Sequence, residues 1–327
     1  MSWFNPYKRF RFGGTNFRWS NWGLHLDMDL GINESPTPLQ ATRDWVVFIL
    51  ASVLCGLAML VIEPWLLSAK GGFGPTILQA AHPLAAGVAL LMALIVCVFI
   101  GASAGRILKS PNKGLVVIGI GIGWLAWRLQ GIESIAYNGT LMPVAIETLV
   151  WSVLMLGITI LVYLVAGPLR YVQSRESKVG TNPLGEINWD HWASSPAAAK
   201  LMAAGLCAIP VAGFFAASPM RGQAVAAVTM AGVVVGLVGR LVAPHIQPVL
   251  LTTAMMLAGA LTQWGVSFMV PANELPVIFA QGQLPHLLYP MPIDWAAGAL
   301  MGVPWGLYAG NAFLHHEDDD GQVAQAA

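Results

Sequence analysis

Long apolar runs without charge, separated by short polar stretches, occupy most of the chain after residue 44. A bilayer core about 30 Å thick needs roughly 20 helical residues, each rising about 1.5 Å. The runs lack the two-residue alternation of barrel strands, so they predict membrane-spanning helices. We therefore predict an all-α polytopic membrane protein with about eight transmembrane helices. The predicted spans are 45–67, 83–105, 114–130, 143–166, 201–217, 223–242, 249–270 and 295–314.

Two segments fit this pattern less cleanly. The run 114–130 is the weakest of the eight, because its uncharged part ends at Trp127 and the Arg128 side chain must reach the lipid headgroups. It is either a transmembrane or a re-entrant segment. The segment 271–293 is also apolar, but its prolines interrupt a continuous helix, and it predicts an interfacial lid.

Charged residues make up 10% of the chain, where a soluble globular protein carries roughly a quarter. This deficit excludes an ordinary soluble enzyme. Sixteen Lys and Arg balance sixteen Asp and Glu, so the chain has no net field that would attract a polyanion. We predict no nucleic-acid partner.

The basic residues are divided unequally between the two predicted sides of the membrane. With the amino terminus inside, thirteen lie in inner segments, while Lys70, Arg128 and Arg221 lie in outer loops. Cytoplasmic loops carry the excess of Lys and Arg. We therefore predict a multi-pass protein of a bacterial-type inner (plasma) membrane, with both termini cytoplasmic and the lipid bilayer as a partner. The thirteen are Lys8, Arg9, Arg11, Arg18, Arg43, Arg106, Lys109, Lys113, Arg170, Arg175, Lys178, Lys200 and Arg240.

Residues 1–44, the N-terminal cap, have the pattern of a small cytoplasmic β-meander. Gly13-Gly14 is a good hairpin turn between two aromatic-basic runs. Residues 24–30 alternate apolar and polar, as a strand covered on one face does. The aromatic rings and arginines suit either a nucleic-acid stacking surface or docking on anionic lipid or a neighbouring subunit. We favour docking, because about forty residues bury little core alone.

A polar linker divides the eight spans into two groups of four. The start of the fourth span, LMPVAIE, resembles the start of the eighth, LYPMPID. Because four is an even number, the repeats are expected to be parallel and related by a pseudo-two-fold axis along the membrane normal. The parts are repeat 1 at 45–167, the linker at 168–200, repeat 2 at 201–314 with the interfacial segment at 271–293, and an acidic tail at 315–327.

The duplication pairs charged residues near the ends of the spans. Glu147 corresponds to Asp294 on the predicted outer side, and Arg106 corresponds to Arg240 on the inner side. In one interpretation these residues line a solute pathway along the pseudo-axis. In the other, which we favour, they complement the helix dipoles and the positive-inside distribution.

Glycines recur every fourth residue in the eighth span and leave one helix face without side chains. Such a face lets a second helix approach closely, either within the chain or from another subunit. Shorter pairs with the same spacing occur in the second, third and sixth spans. The glycines are Gly298, Gly302, Gly306 and Gly310, and the pairs are Gly101 with Gly105, Gly119 with Gly123, and Gly232 with Gly236.

No predicted span carries a charged residue at mid-depth, and the chain lacks the common nucleophile, phosphate-loop and metal motifs. We therefore expect no catalytic residues, no cofactor and no metal. The favoured hypothesis is a non-catalytic structural or assembly subunit of a larger membrane complex. Its protein partners, or a second copy, would dock on the glycine-rich faces and the N-terminal cap. The alternative is a transporter or channel for a small solute between the two repeats.

Overall fold

The computed structural model describes residues 11–12, 15–16, 37–68, 71–137, 141–166, 195–243 and 249–324. Eleven α-helices follow one another in this part of the chain. They are α1 (Pro38–Leu60), α2 (Pro83–Ile107), α3 (Pro111–Arg128), α4 (Ile132–Ala136), α5 (Met142–Ala166), α6 (Ser195–Leu206), α7 (Ala208–Phe215), α8 (Arg221–Val242), α9 (Val249–Met269), α10 (Leu275–Ala280) and α11 (Pro292–Ala324). Short 3-10 helices occupy Glu63–Leu66, Ile77–Gln79 and His286–Leu288.

The two described strands are short. β1 (Arg11–Phe12) pairs antiparallel with β2 (Thr15–Asn16). The predicted strand at 24–30 lies outside the described residues. The three-stranded meander is therefore not confirmed.

Helices long and apolar enough to cross a membrane confirm the prediction of an all-helical membrane protein. Within the described residues there are six of them. The predicted number of eight is not confirmed, because α3 and α11 are not among the six. The six are Pro38–Leu60, Pro83–Ile107, Met142–Ala166, Ala198–Phe215, Arg221–Val242 and Val249–Met269.

Much of α3 and α11 is buried in the bundle, although each also has exposed aromatic side chains, such as Trp127 of α3 (69% exposed). Residues 113–119 of α3 and residues 293–300 of α11 are all buried. A helix that is largely covered by protein needs only a narrow apolar stripe toward lipid, which explains the lower mean hydropathy of these two helices. By contrast, α2 exposes large apolar side chains such as Leu84 (88% exposed) and Phe99 (74% exposed), which is compatible with contact with a lipid bilayer.

The first helix begins at Pro38, earlier than the predicted residue 45. Thr37 and Gln40 form a capping box, in which each side chain accepts a hydrogen bond from the other residue's backbone N–H. Pro38 takes the first helical position, where its missing N–H costs nothing. The helix ends at Leu60, four residues before Pro64.

The predicted fifth span consists of two helices. α6 ends at Leu206 and α7 begins at Ala208. The ring of Pro210 would clash with the carbonyl of Leu206, four residues earlier, and Pro210 has no N–H to donate to it. The break at Cys207 is where this effect is expected.

The last helix is longer than the predicted span 295–314. α11 begins at Pro292, runs through Pro304 and ends at Ala324. The backbone of the predicted acidic tail is therefore helical as far as Ala324.

Cross-packing between the two groups of four predicted spans forms the centre of the bundle. α3 packs against α11, and α9 packs against α5. Both pairs are antiparallel, as Gly119 facing Leu300 and Gly123 facing Ala297 indicate for the first pair. The most extensive helix–helix contact joins α8 and α11, which run parallel.

The helix ends meet at two levels, which we name after one residue each. At the Glu147 end, α3 ends and α5, α8 and α11 begin, since Leu129, Glu147 and Ile293 line one cavity and Arg221 contacts α3. At the Tyr163 end, α3 begins and α5 ends. There the Tyr163 hydroxyl donates to Asn112 Oδ1 at 2.8 Å.

Candidate functional site

The glycine face of α11 is filled by α8 of the same chain. A Cβ atom added to Gly302 would lie 2.8 Å from the Cα of Gly232, and one added to Gly306 would lie 2.8 Å from the Cα of Gly236. Real Cβ atoms do not approach other atoms this closely. Similar close approaches join Gly298 to Val228 of α8 and Gly310 to Arg240 of α8.

The shorter glycine pairs also face helices of this chain. Gly101 and Gly105 on α2 face the first turns of α3, and Gly119 and Gly123 on α3 face Met301 on α11. The expectation of a partner docked on the glycine-rich faces is not supported. The reason is physical: helices of the chain itself already cover them.

Arg221 and Asp294 form a buried ion pair at the Glu147 end. Arg221 donates through its two terminal nitrogens to the two carboxylate oxygens of Asp294, at 2.7 and 2.8 Å. Asp294 is fully buried and also accepts a hydrogen bond from the Met291 backbone N–H at 2.7 Å. Such a bidentate, fully hydrogen-bonded pair offsets much of the cost of burying both charges.

The same arginine reaches the third helix. Its Nε and one terminal nitrogen donate to the carbonyl oxygen of Ala126, at 3.1 and 2.9 Å. This carbonyl lies in the last turn of α3, where helix carbonyls lack partners within the helix. Arg221 therefore joins the end of α3 to the starts of α8 and α11.

Glu147, which the predicted duplication pairs with Asp294, is held differently. It is buried in α5 and accepts a hydrogen bond from the backbone N–H of Leu78 at 3.2 Å. Leu78 lies in the 3-10 helix Ile77–Gln79, between α1 and α2. Among the described residues, no Lys or Arg forms an ion pair with Glu147.

A small cavity adjoins the Glu147 carboxylate. It offers about 10 Å³ to the centre of a water molecule, which is room for roughly one water. Thr76 and Trp151 line it together with apolar residues from several elements. Within the described part of the chain, neither Thr76 Oγ1 nor Trp151 Nε1 has a hydrogen-bond partner, although both are buried.

We call the two groups of four predicted spans the two halves of the chain. The halves also contact each other between α5 and α9. The Thr148 hydroxyl donates to Gln263 Oε1, and Gln263 Nε2 donates to the carbonyl oxygen of Pro290 at 3.0 Å. Gln263 is fully buried. Further along, the Thr159 and Thr252 hydroxyls lie 3.0 Å apart.

The two predicted inner arginines sit in the last turns of their helices. Arg106 is exposed at the end of α2, and Arg240 is half-buried at the end of α8, with its Cβ against Gly310. Positive charge at a helix carboxyl end is favourable because it opposes the helix dipole.

Sequence reasoning identified Glu147 and Asp294 but missed Arg221, Thr76 and Trp151 as parts of these sites. A basic residue at the start of a helix, as Arg221 is, places positive charge at the positive end of the helix dipole. This placement is unfavourable without a partner and is therefore a signal that an acid lies nearby. Thr76 gave no comparable signal.

The described residues contain no group of three or more His, Cys, Asp or Glu side chains that could hold a metal ion. The site therefore contains one buried carboxylate, that of Glu147, which has no cation partner among these residues. This carboxylate lies beside the small cavity described above. Comparisons with family models, curated proteins and solved structures found no match to this chain.

Proposed function

We propose that the protein is a non-catalytic structural or assembly subunit of a larger membrane complex. In this proposal it crosses a bacterial-type inner membrane eight times with both termini cytoplasmic. Its two four-helix repeats are fixed to one another, and a partner docks on the N-terminal cap. The observation that carries the proposal is the clamp that Arg221 forms between α3 of the first half and α8 and α11 of the second.

Eight crossings are supported by the length over which the inner helices accompany the others. The start of α3 meets the end of α5 at Asn112 and Tyr163, and the end of α3 meets the starts of α8 and α11 at Ala126. α11 stays beside α8 from Gly298 to Gly310. Helices that share both ends with apolar helices of membrane-spanning length are expected to cross with them.

The repeat is supported by matching features of the two halves. In each half the third long helix packs against the fourth of the other half, α3 on α11 and α9 on α5. In each half a short helix, α4 or α10, precedes the fourth long helix, and Tyr137 packs edge-on against Phe279 where the two meet. These correspondences are what a pseudo-two-fold axis produces.

The proposed orientation is supported by the charges at the two ends. The Tyr163 end carries Arg106, Lys109, Lys113 and Arg240, at or next to the ends of α2, α3 and α8. The Arg128 and Arg221 side chains at the Glu147 end are both paired with acids. The excess of Lys and Arg favours a cytoplasmic Tyr163 end.

A scaffold is favoured over a transporter because the contacts between the halves are polar, buried and closely fitted. Alternating access requires the repeats to rock against each other around a substrate site. Rocking here would break the Arg221 contact with Ala126 and the Thr148 contact with Gln263. Each would leave buried polar groups unpaired, at about 1–3 kcal/mol per group.

Purification of the tagged chain from its native membranes in mild detergent tests the proposal. The full chain should recover a membrane protein in fixed stoichiometry. A variant lacking residues 2–36, which keeps the Thr37 capping box of α1, should elute as a folded bundle without that protein. A full-length chain that elutes alone and monodisperse would contradict the proposal.

A transporter or channel for a small solute is the second candidate, and the Glu147 cavity is the observation that favours it. Proteoliposomes and protein-free liposomes can be compared for swelling in glycerol and in urea by stopped-flow light scattering. This candidate predicts faster swelling that Glu147→Gln reduces. The scaffold predicts equal rates with and without protein.

A further inference from the structure

We propose that the cavity between Thr76, Glu147 and Trp151 is a specific binding site for one water molecule. The bound water ties the segment between α1 and α2 to α5. This inference is independent of the proposed function, since a scaffold and a transporter could both contain the site.

The size of the cavity limits what can occupy it. Its volume accommodates about one water molecule, and apolar side chains including Leu66, Leu90 and Ile293 line its walls. An organic solute does not fit without movement of these helices.

The three polar groups define the chemistry of the occupant. Trp151 Nε1–H can only donate a hydrogen bond. The ionised Glu147 carboxylate can only accept one, and the Thr76 hydroxyl can do both. A ligand must therefore accept from the indole and donate to the carboxylate. Water does both and still has a lone pair or hydrogen for Thr76.

Cations meet this requirement less well. A sodium or ammonium ion pairs with the Glu147 carboxylate but cannot accept a hydrogen bond from Trp151 Nε1–H. The indole N–H would then stay unpaired and would point its positive end at the ion. These three polar groups therefore favour a neutral water molecule over a cation.

The spacing of the groups links two parts of the chain. Glu147 and Trp151 are four residues apart and share one face of α5. Thr76 precedes the 3-10 helix whose Leu78 N–H already donates to Glu147. A water on Thr76 and Trp151 adds a second polar connection between this segment and α5.

The test uses the full chain in detergent micelles with ¹⁵N-labelled tryptophan. The indole N–H signal of Trp151, assigned by its loss in Trp151→Phe, should show a cross-peak to a long-lived water. Thr76→Val removes the hydroxyl but keeps the side-chain shape, and it should abolish or strongly weaken this cross-peak. Thr76→Ser should retain it.

Thr253→Val is the matched control. Thr253 also has a buried hydroxyl without a partner in the described part of the chain, but it does not line this cavity. Its replacement should leave the Trp151 cross-peak unchanged.

Absence of a water cross-peak at a resolved Trp151 signal in the wild type would overturn the proposal. A Trp151 signal that moves when choline chloride is exchanged for sodium or ammonium chloride would overturn it in favour of a cation. If Thr76→Val does not fold, an experimental density map that resolves ordered water decides the matter. A peak within hydrogen-bond distance of all three groups supports the site, and an empty cavity refutes it.

Discussion

At the scale of single residues, the two acids that the predicted duplication pairs, Asp294 and Glu147, are buried by different means. Asp294 is neutralised by the bidentate contact with Arg221, while Glu147 receives the Leu78 N–H and faces a small cavity. A buried carboxylate that loses its cation is strongly destabilising, whereas one that never had a cation partner depends on local hydrogen bonds. The two acids therefore respond differently to the same chemical change.

Replacement of Arg221 tests how much its contacts with Asp294 and Ala126 contribute to the free energy of unfolding. We expect Arg221→Gln to lower the free energy of unfolding by about 3–5 kcal/mol, because it leaves Asp294 buried without its charge partner. Arg128→Gln is the matched control, since Arg128 is 58% exposed in its pair with Glu63 and should contribute at most about 1 kcal/mol. Denaturant unfolding in detergent measures both. Equal losses in the two variants would contradict the assignment.

The same assay distinguishes the two acids. Asp294→Asn keeps the size of the side chain but leaves the charge of Arg221 without an anionic partner, and it should destabilise by roughly 3 kcal/mol. Glu147→Gln keeps an acceptor for the Leu78 N–H and removes a buried charge, so stability should change by less than about 1 kcal/mol or rise. A larger loss for Glu147→Gln than for Asp294→Asn would show that the roles are reversed.

Sequence reasoning could pair Glu147 with Asp294 because both stand at the start of matching segments. It could not find the partner of Asp294, because Arg221 lies 73 residues earlier in the chain and the contact is tertiary. The same holds for Thr76 and Glu147, which come together only when the segment after α1 folds over α5.

At the scale of helices, close packing of backbones decides which elements can neighbour each other. α11 and α8 approach through facing glycines, so their contact gains dispersion that lipid tails do not replace. Any side chain placed between them must push the helices apart. The contact is therefore sensitive to a single methyl group.

Gly302→Ala should destabilise the bundle by about 1–3 kcal/mol, because its methyl group would collide with the backbone of α8. Gly157→Ala on α5 is the control, since nothing lies within 4 Å of the added atom. There the change should be neutral or stabilising by up to about 1 kcal/mol, as alanine favours helix more than glycine does. Thermal unfolding in detergent separates these outcomes, and an unchanged midpoint for Gly302→Ala would refute the close contact.

The spacing of glycines predicted a close helix contact but not its partner, since spacing describes one surface only. Helix boundaries were missed for local reasons that the sequence does contain. The capping box at Thr37 and Gln40 starts the first helix at Pro38, before the predicted residue 45. Sequence reasoning counted the run 114–130 as a span but found it the weakest of the eight. α3 is largely covered by protein, so fewer of its positions must be apolar toward lipid.

At the scale of the whole molecule, the helices of both halves of the chain pack around a shared apolar core. Buried residues such as Ile118, Met155 and Trp295 belong to one continuous core that includes both halves. A core shared by the first and second halves of the chain leaves them little freedom to move separately, as the proposed structural role requires.

Labelling of single cysteines tests whether α3 crosses the membrane. Lys109 and Gln130 flank this helix and are both exposed. In a chain without its native cysteines, a membrane-impermeant maleimide added to intact cells should label Gln130→Cys but not Lys109→Cys. Labelling of neither or both would indicate a re-entrant segment, which enters and leaves on one side.

The proposal that two repeats are fixed to one another is tested most directly by the distance between them at the Glu147 end. Leu84 at the start of α2 and Met220 just before α8 belong to different proposed repeats and are exposed. Spin labels at Leu84→Cys and Met220→Cys, in a cysteine-free chain in lipid nanodiscs, report this distance by double electron–electron resonance. Repeats that are fixed to one another should give a single narrow distance distribution. Two resolved distances, as expected for repeats that rock against each other, would contradict it.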